Sequence, residues 1–203
     1  RFHPDWLSEM REHLTAIESA EGPRALVTTA SGKFFSNGLD LEWLSQHTDE
    51  FNAYVIDAHA LFVGALVLPV PTVAAIQGHC FAAGAMFALA HDFRVMRADR
   101  GYFCFPEVDI NIPFTRGMSA LIQSRLTKKT AHEAMTTGRR YGGSEALDAG
   151  IVDAVAHEDD VLSSAIEMAR ALAGKAGPTL GVIKSRMYAD ALVALRDTDH
   201  PLD

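Results

Sequence analysis

Residues 72–92 of the chain read TVAAIQGHCFAAGAMFALAHD. The pattern predicts a buried strand, then a tight turn of small residues, then a buried helix. The small residues Ala82, Ala83 and Gly84 let a ligand approach the backbone, and the helix presents unpaired N–H groups and the positive end of its dipole. The segment therefore predicts a site for an anion. Met86 adds an apolar side chain one turn into the helix.

Length and charge limit what the chain can be. Its 203 residues, 48% of them hydrophobic, suffice for one well-filled core. The net charge of −8 and the lack of a Lys/Arg cluster argue against nucleic acid or an anionic membrane surface as a partner. No apolar run reaches the roughly 20 residues of a membrane span, and no signal peptide is recognisable. We therefore expect a soluble protein without a membrane partner, in which local groups must hold any anionic ligand.

The two cysteines suggest a compartment. Cys80 and Cys104 both lie in apolar surroundings, which favours buried reduced thiols over a disulfide and an intracellular protein. We expect a cytoplasmic location, or a peroxisomal one if the source is eukaryotic. The chain starts at Arg1 without a methionine, so residues are expected ahead of it.

Hydrophobic periodicity predicts alternating strands and helices up to about residue 157 and mostly helices after it. We divide the chain into a core, residues 1–157, and a C-terminal helical region, residues 158–203, which is a candidate oligomer contact. Helices are predicted after His3-Pro4 and at 51–66, 83–90, 118–126, 130–137, 144–149, 161–172 and 179–195, with a short one near 41–44; strands are predicted at 25–30, 93–96, 102–105 and 151–155 and from Thr72 onward.

Two turns follow strands and open into helices, namely Ser36-Asn37-Gly38-Leu39-Asp40 and Ala82-Ala83-Gly84. Each can leave a backbone N–H pointing outward, and two converging N–H groups form an oxyanion hole, worth about 3 to 4 kcal/mol per donor. Alternatively, the first is an ordinary turn and the glycine of the second serves close helix packing. Neither matches a nucleotide-binding glycine pattern.

Glu107 follows the apolar run Phe103-Cys104-Phe105-Pro106 and precedes Val108. Burial among apolar groups raises the pKa of a carboxyl group, which makes a glutamate a useful proton acceptor near neutral pH. The alternative is an exposed carboxylate at a strand end or a helix cap.

Other chemistries lack their motifs. His79, His91 and His132 have no metal-ligand spacing with cysteine or carboxylate residues, so we expect no metal. No Gly-x-Ser-x-Gly turn occurs, which argues against serine-nucleophile hydrolysis.

In series, these elements resemble the crotonase superfamily, also called the enoyl-CoA hydratase/isomerase family, from about Pro4 to Leu195. The motifs are SNGLD at 36–40, QGHCFAAGAM at 77–86, HDFR at 91–94, FPEVDINIP at 105–113 and LDAGIVD at 147–153. The resemblance implies an α/β fold, a crotonase-like spiral of ββα units followed by a C-terminal helical oligomerisation region, with the family's first strands missing before Phe2. It further implies three subunits in a disc that often pairs into a hexamer, hence a homotrimer or a dimer of trimers.

The resemblance also implies site residues. Glu107 falls on the catalytic glutamate, and the backbone N–H groups of Leu39 and Ala83 fall on the two oxyanion-hole donors. Further substrate and coenzyme A contacts are expected at Ser36, Asn37, Gly38, Asp40, Leu41, Gly84, Met86 and Phe114. Lys33, Lys184 and Arg186 are candidates for the coenzyme A phosphates. Coenzyme A enters as the carrier part of the substrate, and no separate cofactor is expected.

Two departures from the family pattern matter. Hydratases of the family carry a second glutamate where this chain has Met86, which can neither donate nor accept a proton. Phe114-Thr115-Arg116-Gly117 replaces the family's paired glycines and suggests a bulkier acyl pocket.

A site with a single carboxylate resembles that of the family's Δ3,Δ2-enoyl-CoA isomerases of fatty acid metabolism. The sequences of residues 32–38 and of Arg100-Gly101 also resemble the isomerase branch. We expect an isomerase in which Glu107 moves one proton from C2 to C4. Enoyl-CoA hydration, with Asp109 or Glu42 as a second acid, and other crotonase reactions are near alternatives. A non-catalytic acyl-CoA-binding or scaffold protein is a more distant one.

Overall fold

A computed structural model describes residues 1–202. The α-helices are α1 (Pro4–Ser19), α2 (Leu41–Gln46), α3 (Phe51–Leu66), α4 (Ala83–Ala90), α5 (Arg116–Arg125), α6 (Lys128–Thr137), α7 (Gly143–Asp148), α8 (Val161–Leu172), α9 (Pro178–Met187) and α10 (Ala189–Leu195). The strands are β1 (Leu26–Thr28), β2 (Phe34–Ser36), β3 (Thr72–Ile76), β4 (His79–Phe81), β5 (Phe93–Arg97), β6 (Phe103–Cys104) and β7 (Ala154–Ala156).

Successive strands alternate between two parallel sheets. Strands β1, β3, β5 and β7 form a four-stranded sheet in that order, and β2, β4 and β6 form a three-stranded one. Each pair of consecutive strands, together with the helices after it, therefore adds one strand to each sheet. This is the winding of a spiral of ββα units, and it confirms the predicted fold class.

The central layer is apolar because its elements are covered on all sides. Every residue of β3 and of α4 is buried, as their near-continuous apolar sequences predict. Helix α1 begins with Pro4 in its first turn and buries Leu7 and Leu14 on one face. Arg125 of α5 donates to three carbonyl oxygens at the C-terminal end of α4, where a cation suits the helix dipole.

The first α-helix of the predicted C-terminal region packs against the four-stranded sheet. Helix α8 covers the outer face of the four-stranded sheet and forms a second core there, in which Val161, Ala165 and Ala169 contact residues of β3 and β5. The division of the chain at residue 157 stays a prediction. The last residue of the predicted C-terminal region, Asp203, lies outside the described residues. The single helix predicted for 179–195 is wrong, because the chain breaks at Tyr188 into α9 and α10.

Lys184 of α9 is buried, with 3% of its surface exposed. Its ammonium donates to the carbonyl oxygens of Leu68 and Val70 and to Asp92 Oδ2, at 2.6–2.9 Å. Burial lowers the pKa of Lys184, and the carboxylate of Asp92 opposes that shift. The prediction that Lys184 binds a coenzyme A phosphate is therefore wrong, because all three of its donor positions are occupied inside the protein.

No helix in the described chain, residues 1–202, is both long and apolar enough to cross a membrane.

Candidate active site

The two predicted turns lie against each other because β2 and β4 are adjacent parallel strands, whose C-terminal ends meet at one edge of the sheet. Gly38 has φ +81°, and a Cβ built on it would lie 3.0 Å from both Ala82 Cβ and Ala83 N. Any side chain at residue 38 would force the two turns apart. Glycine here provides both the left-handed conformation and the close approach.

The first turn fixes the peptide that carries the Leu39 N–H. The carbonyl oxygen of Gly38 accepts a hydrogen bond from Phe2 N at 2.9 Å. In a trans peptide the C=O and the N–H point in opposite directions, so the Leu39 N–H points away from Phe2. Among residues 1–202 it has no hydrogen-bond acceptor.

The second turn likewise fixes the peptide that carries the Ala83 N–H. The carbonyl oxygen of Ala82 accepts from Ala85 N at 2.9 Å and Met86 N at 3.1 Å, and the Ala83 N–H of the same peptide points the other way, with no acceptor in the described chain. As the first residue of α4 it also lies at the positive end of a helix dipole. Ala82 has φ 50° and ψ −130°, a conformation that costs a residue other than glycine about 1–3 kcal/mol.

Gly84 lets α4 pack directly on β2. A Cβ at Gly84 would lie 2.5 Å from Ser36 Cβ and 2.7 Å from Ser36 Oγ. Ser36 Oγ in turn accepts from Gly38 N at 3.2 Å. These two residues therefore shape the turns from below.

Glu107 lies in the irregular segment after β6, and its side chain is driven into the interior. Only 6% of the residue is exposed, and Oε2 has no hydrogen-bond partner among the described residues. Burial raises the pKa of Glu107 to about 7, from an ordinary value of 4.5, and a hydrogen bond from its own backbone N–H opposes that shift. An unpaired carboxylate with this pKa can both take and return a proton near neutral pH.

A cavity of about 420 Å³ joins these groups. Its lining is apolar apart from Asn37, Glu107 and Thr115, and Glu107 is its one ionisable residue among those that the structure describes. The full lining is Asn37, Leu39, Leu41, Leu44, Phe51, Val55, Phe81, Ala82, Ala83, Met86, Pro106, Glu107, Ile110, Ile112, Pro113, Thr115 and Met118.

The cavity brings together six of the residues predicted from the sequence: Asn37, Leu39, Leu41, Ala83, Met86 and Glu107. The other five, Ser36, Gly38, Asp40, Gly84 and Phe114, do not line it. Asp40 instead caps α2 through Trp43 N and pairs with Arg1. Phe114 lies on a second cavity of about 490 Å³, which Glu107 also borders.

The alternative acids lie elsewhere. Asp109 packs over Gly138, and the exposed carboxylate of Glu42 pairs with Arg1. Neither lines the cavity. Within residues 1–202 no group of three or more histidine, cysteine or acidic residues could hold a metal ion.

Two features of the site were missed from the sequence. Thr115 on the cavity wall bonds the buried His59 at 2.9 Å across 56 residues, and no local pattern signals that contact. A cation cluster surrounds His79, whose pKa is lowered by burial and further by the positive charges of Lys33, Arg100 and Arg140. Arg140 also lies over the ring of Phe81, which lines the cavity. The basic residues are too far apart in sequence to show as a cluster.

A spiral of ββα units that brings two outward N–H groups and one buried glutamate to an apolar cavity defines an enzyme of the crotonase type. Residues 2–199 match the family described as Enoyl-CoA hydratase/isomerase, and the chain belongs to that family. Its relatives place it on the isomerase side of the crotonase superfamily.

Three similar proteins illustrate this relation. Enoyl-CoA delta isomerase 3 of Arabidopsis thaliana is 35% identical over 203 residues, which cover 94% of this chain and 84% of the relative. A putative enoyl-CoA hydratase of Thermus thermophilus is 31% identical, covering 96% and 78%. The crystal structure of human mitochondrial delta3-delta2-enoyl-CoA isomerase superposes with a TM-score of 0.88 at 25% identity, covering 99% and 81%.

Proposed function

We propose that the protein is a Δ3,Δ2-enoyl-CoA isomerase acting on unsaturated acyl-CoA thioesters. The carbonyl oxygen of a 3-enoyl thioester would accept hydrogen bonds from the N–H groups of Leu39 and Ala83. Glu107 takes a proton from C2, and the electron pair of that C–H bond moves into a dienolate whose negative oxygen the two donors stabilise. Glu107 then returns the proton to C4, which leaves the double bond between C2 and C3.

One observation carries this proposal: among the residues that the structure describes, Glu107 is the single ionisable group of the cavity. Hydration needs a second group to hold and activate water, whereas isomerisation needs one group that takes and returns the same proton. Met86 is buried and lines the cavity where the family's second glutamate would stand. Its apolar side chain keeps water out and thereby supports the raised pKa of Glu107.

The open cavity also bears on the scaffold alternative. A protein that had lost turnover while keeping the fold would be expected to have a filled pocket or a glutamate turned away from the two turns. Here Leu39, Ala83 and Glu107 border one space of about 420 Å³. This arrangement favours an enzyme.

We further propose that the coenzyme A portion runs along residues 36–41, with Asn37 and Leu41 as cavity-side contacts. Its phosphates need cations in a chain of net charge −8. Lys33 is predicted for this role by its position next to the segment. Arg100 and Arg140 join it, because the positive charges of all three lower the pKa of His79. We assign the coenzyme A phosphates to these three cations, which lie near one another and can attract an anion.

The predicted homotrimer or dimer of trimers remains a proposal. Helices α9 and α10 present apolar side chains to solvent, including Met187 with 66% and Val193 with 75% of their surfaces exposed. Apolar groups at such exposure on the helices expected to form the contact support burial in an assembly. Sedimentation velocity of the purified protein would give the mass: a monomer at micromolar concentration contradicts this part of the proposal.

The activity is tested by mixing purified protein with a 3-enoyl-CoA and following the absorbance of the conjugated 2-enoyl thioester. We expect conversion by the wild type and a loss of at least a hundredfold in Glu107→Gln. Glu42→Gln and Asp109→Asn are matched controls, because each neutralises a carboxylate outside the cavity and is expected to keep activity within about twofold.

Undiminished isomerisation by Glu107→Gln would falsify the proposal. Rapid hydration of a 2-enoyl-CoA by the wild type, with loss in either control, would favour the hydratase alternative.

A further inference from the structure

The backbone on either side of Leu39 is held by a closed set of hydrogen bonds centred on one side chain. Tyr54 of α3 is buried, with 3% of its surface exposed. Its hydroxyl accepts from Asp40 N at 2.7 Å and donates to the carbonyl oxygen of Phe2 at 2.5 Å. Phe2 N donates in turn to the carbonyl oxygen of Gly38 at 2.9 Å. The set therefore runs from Gly38 through Phe2 and Tyr54 to Asp40.

These bonds fix both peptide units that flank Leu39. The unit before it consists of the Gly38 C=O and the Leu39 N–H, and Phe2 holds its oxygen. The unit after it consists of the Leu39 C=O and the Asp40 N–H, and the Tyr54 hydroxyl holds its nitrogen. Because each peptide unit is planar, holding one polar group of a unit sets the direction of the other. Phe2 and Tyr54, which do not line the cavity, thus fix the direction of the Leu39 N–H from behind the backbone.

Tyr54 is the one side chain in this set, and its own position is fixed. Its ring packs against the ring of Trp43 with centroids 5.2 Å apart, and it is anchored on a helix of 16 residues. A tyrosine side chain has only two rotatable bonds before its ring, so packing leaves the hydroxyl little freedom. Burial raises the pKa of Tyr54 to about 12, so the hydroxyl keeps its proton throughout the working pH range.

We propose that Tyr54 is a positioning residue of the active site, whose hydroxyl holds the Gly38–Asp40 backbone so that the Leu39 N–H points at the thioester oxygen. It does not line the cavity and acts through Leu39. The inference rests on the oxyanion-hole role proposed above for Leu39.

A merely structural role would make Tyr54→Phe less stable and nothing more. A positioning role makes it lose stabilisation of the transition state. We expect Tyr54→Phe to lower kcat for 3-enoyl-CoA isomerisation by about tenfold or more, less than the loss from deleting an oxyanion donor, while KM changes by less than about threefold.

Tyr141→Phe is the matched control. Tyr141 is equally buried, its pKa is also raised to about 12, and its hydroxyl makes a hydrogen bond to Glu133 at 3.1 Å. It does not line the cavity. We expect this variant to lose less stability than Tyr54→Phe, because the carboxylate of Glu133 is partly exposed to water, and to keep kcat within about twofold of the wild type.

A spectroscopic measurement separates this inference from the proposed function. Hexanoyl-CoA labelled with carbon-13 at the thioester carbonyl has no double bond to move, so its infrared spectrum reports binding alone. Hydrogen bonds in the oxyanion hole shift the carbonyl stretch to lower wavenumber. We expect this shift in the wild type and in Tyr141→Phe, and a smaller shift in Tyr54→Phe, whether or not the protein isomerises a 3-enoyl-CoA.

A second pair of variants keeps the test decisive if Tyr54→Phe does not fold. Tyr54→Met also lacks the hydroxyl, and its flexible apolar side chain adapts to a buried space. Tyr141→Met is its matched control. We expect the carbonyl shift to shrink in Tyr54→Met relative to Tyr141→Met.

The proposal is overturned if Tyr54→Phe, or Tyr54→Met in its place, keeps both the wild-type carbonyl shift and the wild-type kcat. A wild type that produces no shift at all removes the oxyanion role of Leu39 and this inference with it.

Discussion

The ionised form of the Glu107 carboxyl group is destabilised by its burial in the folded protein. Its pKa is about 7 in the folded protein and close to 4.5 in the unfolded chain, with burial as the cause. The folded state therefore holds a proton that the unfolded state has lost between these two pH values. The associated stability is fully present below pH 4.5 and is lost as the pH rises through 7, a change of about 3 kcal/mol.

Glu107→Gln removes this dependence. We expect the free energy of unfolding of the variant, relative to the wild type, to rise by about 3 kcal/mol between pH 4 and pH 8. Urea denaturation at both pH values measures it. A difference between the two proteins that does not vary with pH would mean that the carboxylate is solvated in the folded state.

Met86 is the residue that distinguishes this cavity from one with two acids. Met86→Glu would put a second carboxyl group into the cavity that Glu107 lines, and each carboxylate in one apolar site disfavours the ionisation of the other. We expect the rise of kcat/KM with pH for isomerisation, which reports Glu107 ionisation, to move upward by one pH unit or more. Met86→Leu, similar in volume and apolar, should leave that limb in place, and an unmoved limb in Met86→Glu would show that the two groups do not interact.

Helix α4 and strand β2 are mechanically coupled, because the turns that carry the two proposed oxyanion donors are in contact. Gly84→Ala would bring a methyl group to 2.5 Å from Ser36 Cβ and push the helix off the strand. We expect it to cost about 1–3 kcal/mol of stability and to lower kcat, since the Ala83 N–H moves with the helix.

Gly174→Ala is the control, because a Cβ at Gly174 meets nothing within 4 Å. Thermal unfolding and isomerisation rates of the two variants make the comparison. Equal behaviour would mean that α4 and β2 can separate without effect on the donors.

Prediction from sequence succeeded where the signal is local. The strand predicted from Thr72 and the apolar helix that follows appear in the structure as β3 and α4, whereas the second strand between them, β4, was not predicted. The apolar run before Glu107 correctly indicated a buried carboxyl group with a raised pKa. In both cases the pattern and the physical cause lie within a few neighbouring residues.

Prediction failed where a partner lies far along the chain. The break at Tyr188 coincides with a hydrogen bond between its hydroxyl and Arg125, 63 residues away. The strain at Ala82 is invisible in a sequence where glycine would be the residue expected for that conformation. The hydroxyl of Tyr54 likewise bonds residues far from it in sequence, namely Asp40, 14 positions away, and Phe2, 52 positions away.

The molecule as a whole has a built-in sensitivity to acid. His59 and His91 are buried, and burial lowers the pKa of each to about 4 from 6.5. Their contribution to stability is complete above pH 6.5 and is lost as the pH falls toward 4, by up to about 3 kcal/mol each. Glu107 acts in the opposite direction over pH 4.5 to 7 and offsets part of this loss.

We expect the wild type to lose stability between pH 6.5 and 4.5, and Glu107→Gln to lose it more steeply because the offset is gone. His59→Asn should flatten the curve, whereas His13→Asn, at an exposed position, should not. Unfolding free energies in urea across this range test the prediction. A wild-type stability that rises as the pH falls over this range would contradict the prediction, because that is the trend expected from Glu107 alone, without a lowered pKa at either histidine.

The buried ammonium of Lys184 sets the order in which the enzyme becomes complete during synthesis. Its carboxylate partner, Asp92, leaves the ribosome 92 residues earlier, which at typical elongation rates is roughly 5 to 20 seconds. Before Lys184 is synthesised, no ammonium group joins three acceptors in the folding chain. These are the carboxylate of Asp92 after α4 and the carbonyl oxygens of Leu68 and Val70 before β3. A nascent chain that already carries both turns and Glu107 therefore still waits for its final helices before the centre of the fold is closed.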